Sequence, residues 1–264
     1  MERSERVTPD VDVSHPNIAR SYDFYLGGRH NFESDRDFAR RVLGSYPDTS
    51  AIARDNRGFV QRAIRLMSDQ GVDQFLDLGS GLATGRRVDQ IAQALNPAAL
   101  VIGVDNDPVV LAQSGVALDG VERVHILAAD LREPDSVLTD AVRLAGLDLR
   151  RPVGLLLTSI LHFLPDEDDP AGLVARYLAA LARPSYVAIS HALITEQGEA
   201  FEVRELYRQL ARPMYFRTAE QIAELFGPSS LVDPGLVLMP RWRPEPGDRQ
   251  VDDTYPGLAG VGRT

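Results

Sequence analysis

From Phe75 onward the sequence alternates short apolar runs with amphipathic stretches, and this alternation constrains the fold more than any other feature of the chain. Strands buried on both faces of a parallel sheet read as continuous apolar runs, and the amphipathic stretch between two of them is the helix that crosses back over the sheet. The runs are Gln74 to Leu78, Leu100 to Asp105, Val124 to Ala128, Val153 to Ser159 and Tyr186 to Ser190. Between them, Val88, Ile91, Ala92 and Leu95 fall on one helical face, a second helix opens at Pro108 behind the capping residue Asp107, and a third opens at Pro170 behind Asp169. The fold class is therefore α/β with a mostly parallel sheet.

On either side the pattern changes. Residues 1–70 read as a mostly helical extension, in which Val60, Ala63, Ile64 and Met67 form a stripe closed by Gly71. After the core, Thr218-Ala-Glu-Gln221 has the form of a capping box for a short helix ending at Gly227. Leu231 to Trp242 suggests a closing pair of strands around the turn Asp233-Pro234-Gly235. Residues 71–242 form the expected core. The tail from Arg243 is rich in Pro and Gly without a period, so a loop is expected over 243–264.

Composition narrows the chemistry. A length of 264 residues with 44% hydrophobic and 25% charged suits one large domain or one with an appendage. No apolar run approaches the roughly 20 residues that span a bilayer. The polar, acidic stretch Met1 to Asp12 lacks the layout of a secretory signal, so the expected location is cytoplasmic. A net charge of −10 argues against general affinity for nucleic acid or anionic lipid. There is no cysteine, which removes disulfides, thiolate nucleophiles and cysteine-ligated metals. There is also no lysine, a bias expected of a G+C-rich genome, which removes Schiff-base chemistry and a P-loop.

The segment Phe75-Leu-Asp-Leu-Gly-Ser-Gly-Leu-Ala-Thr84 runs a strand into a Gly-x-Gly turn, where the backbone can bend sharply and a ligand can approach it closely. Asp105 ends the next strand, 26 residues beyond Gly79, close to the spacing at which an acid meets ribose hydroxyls. Asp130 ends the third strand, placed to accept from an adenine amino group. A dinucleotide fingerprint needs a third glycine where Thr84 stands, and Gly85 comes one residue late. Asp77, just before the turn, suits an ammonium group better than a diphosphate. The implied cofactor is a nucleoside carrying an amino acid, S-adenosylmethionine.

These motifs, with Val104-Asp-Asn-Asp-Pro108, Ala129-Asp-Leu-Arg132 and Ile160-Leu-His-Phe-Leu-Pro-Asp166, resemble those of class I S-adenosylmethionine-dependent methyltransferases. Asn17-Ile-Ala-Arg-Ser-Tyr-Asp-Phe-Tyr-Leu-Gly-Gly28, His30-Asn-Phe32 and Pro240-Arg-Trp-Arg-Pro244 resemble, more narrowly, a bacterial methyltransferase family long catalogued as a domain of unknown function. The resemblance implies a doubly wound, seven-stranded, Rossmann-like methyltransferase fold with an N-terminal helical lid. It implies that Gly79, Ser80 and Gly81 lie along the methionine and ribose, Asp77 near the amino group, Asp105 on the ribose and Asn106 beside the adenine. Asp130 and Leu131 would hold the adenine's other edge. Ser159 to His162 would face the sulfonium and the acceptor.

In the lid, Tyr22, Asp23, Tyr25, Asn31 and Phe32 cluster beside Gly27-Gly28, read here as a flexible break. Tyr22 and Asn31 are expected against the cofactor, since a sulfonium over an aromatic face gains roughly 0.5 to 2 kcal/mol. His162 is the candidate acid–base residue, while His125 and His191, inside strand patterns, read as structural. The acids Asp166-Glu-Asp-Asp169 suit a helix N-terminus and match no metal motif, so no metal is expected. Tyr215, Arg217 and Trp242 are candidates for an acceptor pocket. The function expected is methyl transfer to a small molecule, with no nucleic-acid or membrane partner. The alternatives are a catalytically silent S-adenosylmethionine-binding sensor or partner-binding module and, against the glycine spacing, a nicotinamide-dependent oxidoreductase.

Overall fold

The computed structural model describes residues 12–82, 84–194, 199–208 and 213–264. All but Asp12 of the acidic stretch Met1 to Asp12 lies outside them. Five parallel strands, β1 (Gln74–Leu78), β2 (Leu100–Asp105), β3 (Val124–Ala128), β4 (Gly154–Thr158) and β5 (Tyr186–Ala192), lie in the order β3-β2-β1-β4-β5. The order reverses direction at β1 and β4. In open parallel sheets a crevice forms at that switch point, at the carboxyl ends of the strands.

The sheet is buried on both faces, and alternation along β1 assigns its residues. Leu76 and Leu78 join one cluster with α6 (Pro134–Ala145) and α7 (Pro170–Ala180), while Phe75 joins the other with α3 (Thr49–Asp69) and α4 (Val88–Leu95). Asp77 therefore points to the face of α3. The expected helix starts are present. The Asp107 side chain accepts from Val109 N and Val110 N at the start of α5 (Pro108–Ala117), and Asp169 accepts from Gly172 N at the start of α7. Thr218 and Gln221 close a reciprocal capping box on α9 (Ala219–Glu224). In α4, Val88, Ile91 and Ala92 are buried, but Leu95 is exposed.

The C-terminal part differs from its sequence reading. The two predicted closing strands are β6 (Ser230–Leu231) and β7 (Val237–Leu238), two residues each, and they do not pair with each other. Both pair with β8 (Gly257–Arg263), a strand inside the predicted loop tail, which runs antiparallel along all of β5. The sheet is thus seven positions wide, with β6 and β7 sharing the outer edge of β8, and it extends past Trp242. Gly257, Gly260 and Gly262 disguise β8 as a loop. Gly262 is there for lack of space, because a Cβ would collide with the Ser229 hydroxyl.

A third hydrophobic cluster stands at the carboxyl end of the sheet. It joins α1 (Ile18–Tyr25), α2 (Glu33–Ser45) and α8 (Glu199–Tyr207) through Tyr25, Phe38, Val42, Val203 and Tyr207. Between α1 and α2, Gly27 N–H donates to Phe24 O at 2.9 Å and Gly28 N–H to Asp23 O at 2.8 Å, and Gly28 lies against the Asp23 carboxylate. The glycine pair forms a hydrogen-bonded turn in which Gly28 is packed and Gly27, at a φ of 77°, is exposed.

Candidate active site

After β1 the chain turns through Gly79 and Gly81, with φ of 78° and 64°. Gly79 N–H and Ser80 N–H both donate to Val104 O, at 2.8 and 3.2 Å, which ties the turn to β2. Asp105 completes the loop: Oδ2 accepts from Gly81 N–H at 2.8 Å and Oδ1 from Asp107 N–H at 3.0 Å. A carboxylate offers about four lone-pair sites, so two remain for a diol. The turn opens on a cavity of about 410 Å³ that also takes in Asp77, Asn106, Ser159 and His162.

Asp77 is buried and makes no hydrogen bond among the described residues, and burial pushes its carboxyl up to about 7, with Asp105 adding and Arg57 opposing. Arg57, on α3, also lines the cavity, and its buried Nε has no partner. Its guanidinium lies 5.7 Å from the centre of the Tyr22 ring. Tyr22 lines the cavity as expected, but its ring already faces this cation and its hydroxyl is engaged, donating to Ala53 O at 3.1 Å and accepting from Asn56 Nδ2 at 3.0 Å. A sulfonium would therefore share that ring with Arg57.

Two contacts clasp the N-terminal helices over the crevice. Asn17 Nδ2 donates to Asp107 Oδ2 at 2.5 Å on one side, and the Thr84 hydroxyl donates to Asp23 on the other. Asp23 also accepts from His30 N–H at 2.9 Å and from Asn31 Nδ2 at 2.7 Å. Asn31 thus braces the lid turn and does not line the cavity.

At the tips of β4 and β5, Ser159 holds a positive φ of 54°, a conformation costing a non-glycine residue on the order of 1 to 3 kcal/mol. Two bonds fix it there: its N–H donates to Ser190 O at 3.1 Å and to Ser190 Oγ at 2.9 Å. Ser190 Oγ in turn donates to Asn56 Oδ1 at 2.6 Å. His162 lines the cavity, but its Nδ1 accepts from Ala192 N–H at 3.4 Å. Burial, then His191 and Arg217, hold its pKa well below the usual histidine range. It is a neutral ring with one lone pair engaged, which is poor equipment for the general base expected. His191 has the structural role its strand pattern suggested. Its Nδ1 donates to Ala192 O and its Nε2 accepts from Arg217, both at 2.8 Å, and burial lowers it to about 4.

Other expected site residues are engaged elsewhere. Asp130 pairs with Arg132 at 2.7 Å and Leu131 packs against the core beyond α7, so neither lines the cavity. Arg217 is a buried scaffold bonded to Asp166, Leu161 O and Leu164 O. Trp242 stacks edge-on to Phe59 in the core, and Tyr215 donates its N–H to His162 O at 2.7 Å. Of the acidic run, Asp166 meets Arg217, Asp168 lies 3.5 Å from Arg132 and Asp169 caps α7. Among the described residues no cluster of three such side chains could hold a metal ion, and no helix is long and apolar enough to cross a membrane. Asn56 and Arg57 had no place in the sequence reading, and Asn17 and Thr84 entered it only as members of motifs, with no role as clasps. Asn56 and Arg57 could have been found, since they continue the apolar stripe of α3 four and three residues before Val60, where a polar residue needs a partner.

The site fits an aminoacyl nucleoside. An unpaired buried carboxylate (Asp77), a guanidinium with an orphaned nitrogen (Arg57), an unpartnered buried hydroxyl (Ser80 Oγ) and a half-engaged carboxylate (Asp105) all border one cavity at the sheet's switch point. Fold and site together define a Rossmann-like methyltransferase. The chain belongs to the family described as S-adenosyl methyltransferase, whose profile matches residues 4–264, and is an S-adenosylmethionine-dependent enzyme. It is similar to a candidate methyltransferase from Thermobifida fusca YX, with 34% identity over 99% of both chains and a TM-score of 0.90. It is also similar to a DUF574 family protein from Streptomyces avermitilis MA-4680, with 32% identity over 96% of this chain and 99% of that one and a TM-score of 0.90. The N-methyltransferase NodS from Bradyrhizobium japonicum WM9, crystallised with S-adenosylhomocysteine, shares the fold at 12% identity over 94% of this chain and 99% of that one, with a TM-score of 0.51. No curated protein matches the sequence.

Proposed function

We propose that this enzyme methylates a small molecule held in the far part of the cavity, with Asp77, Arg57, Gly79 to Gly81, Asp105 and Asn106 holding the cofactor. The observation that carries the reading is that a single cavity runs from the glycine loop, past Ser159, to an apolar chamber under the N-terminal helices. When bound, S-adenosylmethionine supplies a methyl group whose transfer to an acceptor lone pair breaks its bond to sulfur and leaves the electron pair there, the acceptor's proton passing to solvent. Asp77 and Arg57 are the acid and base that match the ammonium and carboxylate of its amino-acid end. Asp105 orients the sugar through the lone pairs left free by Gly81 and Asp107. The lid excludes water, and alignment of this kind supplies about 7 to 11 kcal/mol of a barrier.

Calorimetry with S-adenosylhomocysteine tests the assignment. Asp105→Ala should weaken binding by about tenfold to a hundredfold, the value of one or two hydrogen bonds to a charged group. Unchanged affinity in that variant would refute the ribose assignment. Acceptor-dependent formation of S-adenosylhomocysteine separates turnover from silent binding.

A further inference from the structure

Beyond Ser159 the cavity changes character. The charged side chains on its wall, Asp23, Arg57, Asp77, Asp105 and Asp107 among the described residues, belong to the glycine loop, the tip of β2 and the helices clasped to them. The chamber's wall is instead Tyr25, Phe163, Val203, Tyr207, Met214 and Phe216. Arg217, which bonds His191 on the cavity wall, is buried and committed to Asp166, two carbonyls and that ring. Two donors face this apolar space. The Tyr25 and Tyr207 hydroxyls lie 3.3 Å apart, so one donates to the other and one proton is left over. His162 takes Ala192 N–H on Nδ1, so its neutral ring carries its proton on Nε2, which has no partner among the described residues.

We infer that the chamber receives a flat, uncharged, oxygen-bearing aromatic acceptor, such as a phenol, and that His162 reads it as a neutral N–H donor and does not take its proton. This rests on the placement of the cofactor proposed above. Among the described residues a carboxylate or ammonium acceptor would find no counter-charge on the chamber's wall. An aliphatic alcohol could accept from these donors but would bring no ring to Phe163 and Tyr207. An aromatic ring meets the tilted pair Phe163 and Tyr207, whose centres are 6.1 Å apart, and the thioether of Met214, in the geometries such rings favour. The groups facing His162 are His191 from β5 and Arg217, with Asp166 behind it, and the positive field of Arg217 disfavours an imidazolium.

The test is calorimetry on the full chain with three probes, 2-naphthol, 2-naphthoate and 1-decanol, with and without saturating S-adenosylhomocysteine. The expected result is that 2-naphthol binds at least about tenfold more tightly than either other probe. Its affinity should stay constant from about pH 6 to about pH 8, where free histidine titrates. His162→Gln, which keeps a donor near the Nε2 position, should stay within about threefold of the parent, while His162→Ala loses about tenfold. Equal binding of naphthoate or decanol, an affinity that follows a histidine titration, or a glutamine variant no better than alanine would overturn the inference. Failure of S-adenosylhomocysteine to bind would instead strike the cofactor placement, and the probe ranking without it would still decide the chamber.

Discussion

Asp77 shows how a strand's alternation becomes chemistry. Sharing a face with Phe75 puts its carboxylate beneath α3, out of water and near one guanidinium, and burial raises it to about 7. An ammonium group placed beside it favours the ionised form, so the complex holds fewer protons than the free protein below that value. Affinity for S-adenosylhomocysteine should therefore be level above about pH 7 and fall by up to about tenfold per unit below it. Proton release on binding below about pH 7, measured calorimetrically in buffers of different ionisation enthalpy, checks the sign, and Asp77→Asn should bind more weakly with a flat profile. A sloping profile in that variant would assign the proton elsewhere. The glycine loop gives a second contrast. A Cβ at Gly79 would stand 2.6 Å from the Ile160 side chain, whereas at Gly81 it would meet nothing within 4 Å. Both residues have positive φ, so alanine costs roughly 1 to 2 kcal/mol of strain at either. Gly79→Ala should add an overpacking cost of about 1 to 3 kcal/mol, visible in denaturant midpoints. Gly81→Ala should lose only that strain in stability and also lose cofactor affinity, because its methyl enters the space proposed for the ligand. Equal stability of the two variants would contradict this.

At the level of elements, what could be read in the sequence followed burial. The strands β1 to β5 announce themselves as short, mostly apolar runs between amphipathic stretches, and α5, α7 and α9 announce their starts through Asp107, Asp169 and Thr218. The strand β8 does not, because close packing against Ser229 and Phe226 requires glycine where a pattern would need valine. Site residues on strand tips were legible from their distance to the glycine loop. Asn56 and Arg57 left a weaker signal, two polar residues continuing the apolar stripe of α3, which does not say what they serve. At Asp130 position alone does not show the neighbour Arg132, which pairs with the carboxylate. Among the side chains that tie down the tail, Arg62 of α3 is buried and makes three contacts. It donates from Nε to Trp242 O at 2.7 Å and from Nη2 to Met239 O at 3.1 Å, and pairs with Asp248 at 2.8 Å. Arg62→Ala leaves two carbonyls and a carboxylate without their donor. It should destabilise the protein by about 3 kcal/mol in chemical denaturation, more than an exposed ion pair is worth. A loss below about 1 kcal/mol would mean that β8 holds the tail without this strap.

Across the whole molecule, the third hydrophobic cluster makes the lid a permanent part of the structure, while two polar clasps decide how tightly it closes over the crevice. They sit on opposite sides of the cofactor's proposed place, Asn17 on Asp107 and Thr84 on Asp23. Neither Asp depends on its clasp for its other work, since Asp107 still caps α5 through Oδ1 and Asp23 still holds His30 and Asn31. The pair can thus be cut without dismantling its surroundings. Asn17→Asp keeps the acceptor that caps Arg20 N–H but replaces the donor to Asp107 with a like charge. Thr84→Val removes the hydroxyl at nearly constant volume. Each clasp is worth about 0.5 to 1.5 kcal/mol, and separated contacts of this kind add. The double variant should therefore release S-adenosylhomocysteine about ten to a hundred times faster in stopped-flow displacement, each single variant accounting for about half of that change in free energy. The denaturant midpoint should move little, because the apolar cluster stays intact. If release is unchanged in the double variant, the ligand leaves by a route that does not require these helices to lift.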